Sequence, residues 1–200
     1  MGNSLLQLKK QLALGLFIAS SVAFAGLNPN TGCVIAGPEN AQLTIEEYVD
    51  FQCLYCVKGA KTMREVIKNY DGKVNLVLRN MPLPFHPLAL VAAKAFTAVC
   101  MQSPDLAYAF QKELFDNQEK FGKEDEAFLY ATAKKIGADS ERMKAAMSSD
   151  EVAKSILADR RRAESHKFTG APSFLIGSVP LTGSYPYEEI KKIIDTQLGL

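Results

Sequence analysis

Cys53 and Cys56 are the residues whose type and spacing most directly suggest chemistry, because a Cys-x-x-Cys can close into a disulfide and open again. Side chains three apart on a first helical turn have Cβ atoms about 5–6 Å apart, close to what a disulfide requires. A cysteine at a helix N-terminus faces unpaired N–H groups and the positive end of the helix dipole, both of which favour its thiolate. That lowers its pKa from about 8.5 and makes the sulfur an attacking or leaving group in thiol exchange. In this arrangement Cys53 is the exchanging sulfur and Cys56, one turn further in, the resolving thiol.

Two other uses of the pair remain open. Zinc needs about four ligands, and the other candidates, Cys33, Cys100, His86 and His166, are isolated in the sequence. A permanently closed structural disulfide is the other reading, but so short a ring constrains the unfolded chain little. A redox role explains the spacing better.

The elements that must hold the pair are legible on either side. Leu43-Thr44-Ile45-Glu46-Glu47-Tyr48-Val49 is rich in β-branched and aromatic residues, whereas Val57, Ala60, Met63, Val66, Ile67 and Tyr70 recur at helical spacing. The cysteines therefore sit on a strand-to-helix turn. Tyr70-Asp71-Gly72-Lys73 turns the chain into a second strand over Val74–Leu78, and the strand–helix–strand order implies a parallel pair.

Residues 26–42 read as a loose arm with a brief strand at Cys33-Val34-Ile35. Residues 81–87 break regular structure, with Pro87 suited to the first position of the next helix. Residues 87–166 carry helical periodicity throughout, with Ser148 and Glu151 forming a capping-box pattern. Ser173–Ile176 and Val179–Thr182 flank Gly177-Ser178 as a hairpin, and Tyr187–Leu198 is an amphipathic helix.

The first 25 residues have the form of an export signal: Lys9 and Lys10, a short apolar run from Leu12 to Ala19, and Ala23-Phe24-Ala25 as a cleavage site. The apolar run falls short of the roughly 20 residues needed to span a bilayer, so cleavage after Ala25 and a periplasmic location are expected. Loss of the two lysines takes the formal charge from +1 to −1. So balanced a chain offers no electrostatic case for nucleic acid. Disulfides form and persist in the oxidising compartment that an exported chain enters.

Taken together, Gly37-Pro38-Glu39-Asn40-Ala41, Asp50-Phe51-Gln52-Cys53-Leu54-Tyr55-Cys56, the stretch from Pro82 to Ala92, Thr169-Gly170-Ala171-Pro172-Ser173-Phe174 and Gly183-Ser184-Tyr185-Pro186-Tyr187 carry a resemblance. The chain resembles the DsbA-like branch of the thioredoxin superfamily over nearly all of the part that follows the signal. The resemblance implies an α/β thioredoxin fold over residues 26–86 and 167–200, with a helical domain inserted at 87–166. It also implies an exported thiol–disulfide oxidoreductase.

Carried over residue by residue, Cys53 matches the nucleophile, Cys56 the resolving thiol, and Pro172 a cis-proline facing them. Ala171 then offers backbone groups to an extended substrate strand. Leu54 and Tyr55 fill the positions between the cysteines, where many members place Pro first. Ala171 stands where Thr or Val is common. Glu47 matches a buried acid that serves the resolving thiol, although an outward-facing strand carboxylate is the alternative, since neighbouring Glu46 points to the other face.

Arg79 is a candidate partner for Glu47. His86 reads as a helix-entry residue beside Pro87 rather than a catalytic one, His166 is likewise not read as catalytic, and Arg160-Arg161-Arg162 reads as a solvated face. Cys33 and Cys100 could pair, but Cys100 falls beside the apolar face of Phe96 and Val99 and reads rather as a buried thiol.

The resemblance implies no cofactor and no metal. The partners it implies are reduced or misoxidised exported proteins and a membrane quinone reductase that recycles the disulfide. A reductase or isomerase is the alternative of the same class; a periplasmic module holding a soft ion on the two thiolates is the alternative of another.

Overall fold

The computed structural model describes residues 32–200. The proposed signal peptide lies outside the described residues. Five strands form one sheet in the order β1-β3-β2-β4-β5, where β1 is Cys33–Ala36, β2 Leu43–Val49, β3 Val74–Asn80, β4 Ser173–Ile176 and β5 Val179–Thr182. β2 and β3 run parallel from Leu43 opposite Val74 to Val49 opposite Asn80, while β1, β4 and β5 pair antiparallel with their neighbours. The crossover between the parallel strands is α1, Leu54–Asn69. Gly37 lets the chain leave β1: its φ is +78°, and a Cβ there would come 2.2 Å from the Val74 carbonyl oxygen.

Between β3 and β4 the chain makes α2 (Ala89–Cys100), α3 (Pro104–Asp116), α4 (Gln118–Lys135), α5 (Ser140–Ala146) and α6 (Asp150–Ser165); α7 (Tyr187–Leu198) closes it. Phe96, Phe110, Leu114 and Leu129 join Ile45, Leu76 and Leu78 of the sheet in one buried cluster.

Several expectations are corrected. Pro87 does not open a helix; α2 begins at Ala89 with Leu88 as its N-cap, because residues 81–88 are held against the Cys53 turn instead. The cap of α6 is Ser149, whose hydroxyl accepts from the Val152 N–H, one residue after the expected Ser148. Strand β3 runs on to Asn80, two residues past its last apolar position, because Arg79 and Asn80 find buried partners.

Arg79 bonds to Glu46 at 2.7 Å and Asp159 at 3.0 Å rather than to Glu47. Arg162 also reaches Glu46, so one of the three consecutive arginines leaves the solvated face to dock α6 on the sheet. Burial alone would raise the Glu46 carboxyl, but hydrogen bonds from Arg162 and Tyr48 and the Arg79 charge overcome it and hold the group at about 2.

Cys100 is not a free thiol. It is bonded to Cys33 across 67 residues, with Cα atoms 6.4 Å apart, tying the edge strand to the end of α2. Helical periodicity put Cys100 on an apolar face, and from that face it reaches Cys33 of β1.

Candidate active site

Strand β2 ends at Val49, and the next residues turn through Asp50 to Cys53, the N-cap of α1. The turn is fixed by its own backbone, by its own Asp50 and Gln52 side chains and by two distant side chains, His86 and Gln118. The Cys53 N–H donates to the Asp50 carbonyl at 3.0 Å, and the Gln52 N–H to Asp50 Oδ1 at 2.8 Å. The other oxygen of Asp50 accepts from the Leu83 N–H at 2.8 Å and faces His86 Nδ1 at 2.9 Å. Gln52 accepts from the Leu88 N–H, so two side chains of the turn hold the loop that precedes α2. From α4, Gln118 donates to the carbonyls of Phe51 at 2.8 Å and Cys53 at 3.1 Å.

Both cysteines are free thiols, so this is the dithiol state. They are unlike. A hydrogen bond from the Cys56 thiol, joined by the backbone N–H groups of Cys56 and Tyr55, brings the Cys53 thiol down to about 6 despite its burial. Asp50 acts in the other direction. Burial, together with the proton given towards Cys53, pushes the Cys56 thiol well up. One proton is thereby shared unequally, with negative charge at Cys53 and the proton at Cys56.

The Ala171–Pro172 peptide bond is cis, and the Cys53 Sγ sits 3.2 Å from the Ala171 carbonyl oxygen. Cys53 opens on a groove of about 500 Å³ walled by Leu54, Tyr55, Phe85, His86, Gly170 and Ala171. Leu54, Tyr55 and Phe85 are 74%, 60% and 72% exposed, so large apolar side chains stand in solvent around a buried sulfur.

Glu47 lies on the other side of α1 from solvent, completely buried. A Cβ on Gly59 would meet Glu47 Oε1 at 3.3 Å, Pro172 Cγ at 3.4 Å and Phe174 at 3.0 Å, so glycine at 59 lets the helix settle on all three. Gln111 of α3 approaches Glu47 Oε2 at 3.5 Å, and Oε1 has no hydrogen-bond partner among the described residues. Burial pushes the carboxyl up to about 8, against a smaller opposing pull from Arg64, and its charge would raise the Cys56 thiol further.

Of the residues singled out from sequence, Cys53, Cys56, Leu54, Tyr55, Ala171, Pro172 and Glu47 are brought together. His86, read as a helix-entry residue, stands at the groove. His166 caps α6 beside Phe168, away from the cysteines. Asp50, Gly59, Gln111 and Gln118 were missed; only Asp50 had a signal, its place in the cysteine motif. Among the described residues no cluster of three or more His, Cys, Asp or Glu could hold a metal ion.

A family model described as Thioredoxin matches residues 30–196. The fold is shared with the thiol-disulfide exchange protein alpha-DsbA2 from Wolbachia pipientis, at a TM-score of 0.72 and 20% identity, covering 80% of this chain and 84% of that one. A thioredoxin-like oxidoreductase from Silicibacter pomeroyi matches at 0.74 and 24%, covering 86% and 95%. BdbD from Bacillus subtilis, in its oxidised form, matches at 0.72 and 21%, covering 82% and 92%.

Among curated proteins, the Na(+)/H(+) antiporter NhaA of Herminiimonas arsenicoxydans is 29% identical over 161 residues, covering 80% of this chain and 25% of that protein. The chain thus spans about a quarter of the length of the curated relatives it matches. No helix among the described residues is long and apolar enough to cross a membrane. The chain belongs to the thioredoxin family, with the fold of its DsbA-like members.

Proposed function

We propose that the protein is an exported thiol–disulfide oxidoreductase that introduces or exchanges disulfides in other exported proteins. The observation that carries this reading is the unequal pair at the head of α1: a Cys53 thiol lowered to about 6, backed by a Cys56 thiol raised by burial. With the pair oxidised, a substrate thiolate attacks Cys53 Sγ, the Cys53–Cys56 bond breaks, and Cys56 leaves with the electron pair and takes up a proton. A second substrate thiolate then attacks the substrate sulfur of the mixed disulfide and expels Cys53 as its thiolate. The substrate loses two electrons and gains a disulfide, and the protein is left as the dithiol.

A low Cys53 pKa favours the last step, because a stable thiolate leaves readily and stabilises the reduced protein. That assigns the net direction as oxidation of substrates. Return of the two electrons to a membrane redox partner closes the cycle, as the family resemblance implies. In this reading Glu47, protonated at neutral pH under its raised pKa, gives or receives the Cys56 proton; its electrostatic effect on the Cys56 thiol supports the role. Export is supported by the form of the first 25 residues and by the Cys33–Cys100 disulfide, which suits an oxidising compartment.

Catalysed oxidation of a reduced, unfolded disulfide protein with glutathione disulfide as terminal oxidant tests the reading. Catalytic amounts of the protein should speed disulfide formation well above the uncatalysed rate, and Cys53→Ser should remove the acceleration. Equal rates with and without the wild-type protein would refute it.

A further inference from the structure

Leu54 and Tyr55 form a ridge with a groove on each side. One groove is the cis-proline side described above; the other, of about 660 Å³, runs between α1 and the junction of α3 and α4. The two adjoin at the ridge, because the same two side chains line both. An extended segment whose cysteine reaches Cys53 and that crosses the ridge places neighbouring residues on both sides of it.

The grooves differ in charge. Besides Cys53, Tyr55 and His86, the cis-proline side presents no titratable side chain. The second groove is lined by Lys58 and Lys61 of α1, by Val57 and Phe115, and by Asp116 and Glu119 opposite. The two acids are already engaged: Asp116 binds Arg64 at 3.2 Å and Lys112 at 2.8 Å, and Glu119 binds Lys123 at 2.7 Å. Lys61 acts on Asp116 only through space.

Neither Lys58 nor Lys61 forms an ion pair among the described residues, and the Lys58 ammonium lies over the Tyr55 ring, 5.2 Å from its centre. Three apart on one helix, the lysines share a face. The positive end of α1 adds to their field.

We propose that this second groove is a substrate subsite that takes a carboxylate-bearing flank of the segment containing the reacting cysteine, with Lys58 and Lys61 as its specificity-determining residues. The proposal rests on the exchange reading above. It assigns the preference to charge pairing at an exposed rim, which sets encounter rate and register more than tight affinity.

The test uses two reduced peptides that are identical except for aspartates or lysines flanking a single cysteine. Mixed-disulfide formation with the oxidised protein is measured for each and divided by that peptide's rate with the uncharged bis(2-hydroxyethyl) disulfide, which removes the peptide's own thiol reactivity. The acidic peptide should be faster by about three- to tenfold at low salt, the scale of two exposed ion pairs. In about 0.5 M salt, where screening lengths are only a few ångströms, the ratio should fall toward one. The K58E/K61E double variant should invert the preference; because the readout is a ratio, any change in Cys53 reactivity cancels.

A wild-type ratio of one, or a ratio that the double variant leaves unmoved, overturns the proposal while exchange itself stands. The same peptides with serine in place of cysteine, titrated by fluorescence anisotropy, separate the other failure. If neither cysteine peptide exchanges but the acidic serine peptide binds the wild type more tightly than the double variant, the subsite stands and the exchange reading falls. Equal binding of acidic and basic serine peptides overturns the subsite.

Discussion

Cys53 Sγ lies 3.2 Å from the carbonyl oxygen of Ala171, a residue 118 positions further along the chain. The contact brings the reactive sulfur against the backbone of the cis-proline loop. The Cys53 sulfur and that loop are therefore positioned by one junction, between the head of α1 and the entry to β4.

The unequal protonation of the two thiols predicts a division of roles. Cys53→Ser should abolish exchange, whereas Cys56→Ser should accumulate mixed disulfides with disulfide-bonded substrates, because Cys53 attacks the substrate disulfide, one substrate thiolate leaves, and no internal thiol remains to release the adduct. Non-reducing electrophoresis after acid quenching reads both outcomes, and equal turnover by the two variants would contradict the assignment.

Glu47 predicts a pH dependence of stability. Its carboxyl titrates at about 8 when folded, above its ordinary value of 4.5. A raised pKa means that the stability associated with the protonated group is complete below about 4.5 and declines as pH rises through about 8. Glu47→Gln should flatten this decline, so the reduced variant should gain on the wild type by up to about a few kcal/mol at pH 9 relative to pH 4. Urea midpoints across that range check it; parallel profiles would contradict the burial of a neutral acid.

The Cys33–Cys100 bond closes a loop of 67 residues, and on chain-entropy grounds its loss should cost about 4 kcal/mol. The Cys33→Ala/Cys100→Ala variant should unfold at lower denaturant but still form mixed disulfides through Cys53. Thiol counting on the native wild type after mild glutathione reduction should release two thiols, since Cys53 opens on the groove whereas Cys33 and Cys100 are enclosed in the core. Release of four would contradict that.

Arg79 stands between Glu46 and Asp159, both buried. Arg79→Ala leaves two carboxylates without their shared cation and should destabilise the fold by about 3–5 kcal/mol. Arg79→Met with Glu46→Gln and Asp159→Asn should recover part of that loss. Denaturant unfolding of both variants checks the ordering, and an unaffected Arg79→Ala would show that the cluster carries little energy.

Local features are legible in the sequence. β-Branched and aromatic residues marked β2, the Gly177-Ser178 turn marked the β4–β5 hairpin, and the cysteine spacing marked the head of α1. Features whose deciding partner is far along the chain are not. Glu46 and Glu47 look alike in sequence because β2 is buried on both faces, which erases the alternation that would tell them apart.

In the fold, Glu46 meets Arg79 and Arg162, while Glu47 faces Gly59 and Gln111. The clamps on the Cys53 turn were invisible for the same reason. Gln118 and His86 are ordinary polar residues until tertiary packing brings them to Phe51 and Asp50.

In the proposed function Cys53 and Cys56 form an oxidising pair, because the Cys53 thiolate stabilises the dithiol state. Each unit by which its pKa falls is about 1.4 kcal/mol, or about 30 mV for a two-electron couple. A thiol at about 6 lies between the roughly 7 of thioredoxin and 3.5 of DsbA, so the potential should fall between about −270 and −120 mV. Equilibration of the wild-type protein with glutathione buffers, with acid quenching and thiol counting of Cys53 and Cys56, measures it directly. A value inside that interval is the predicted result; one at or below about −270 mV would contradict the account.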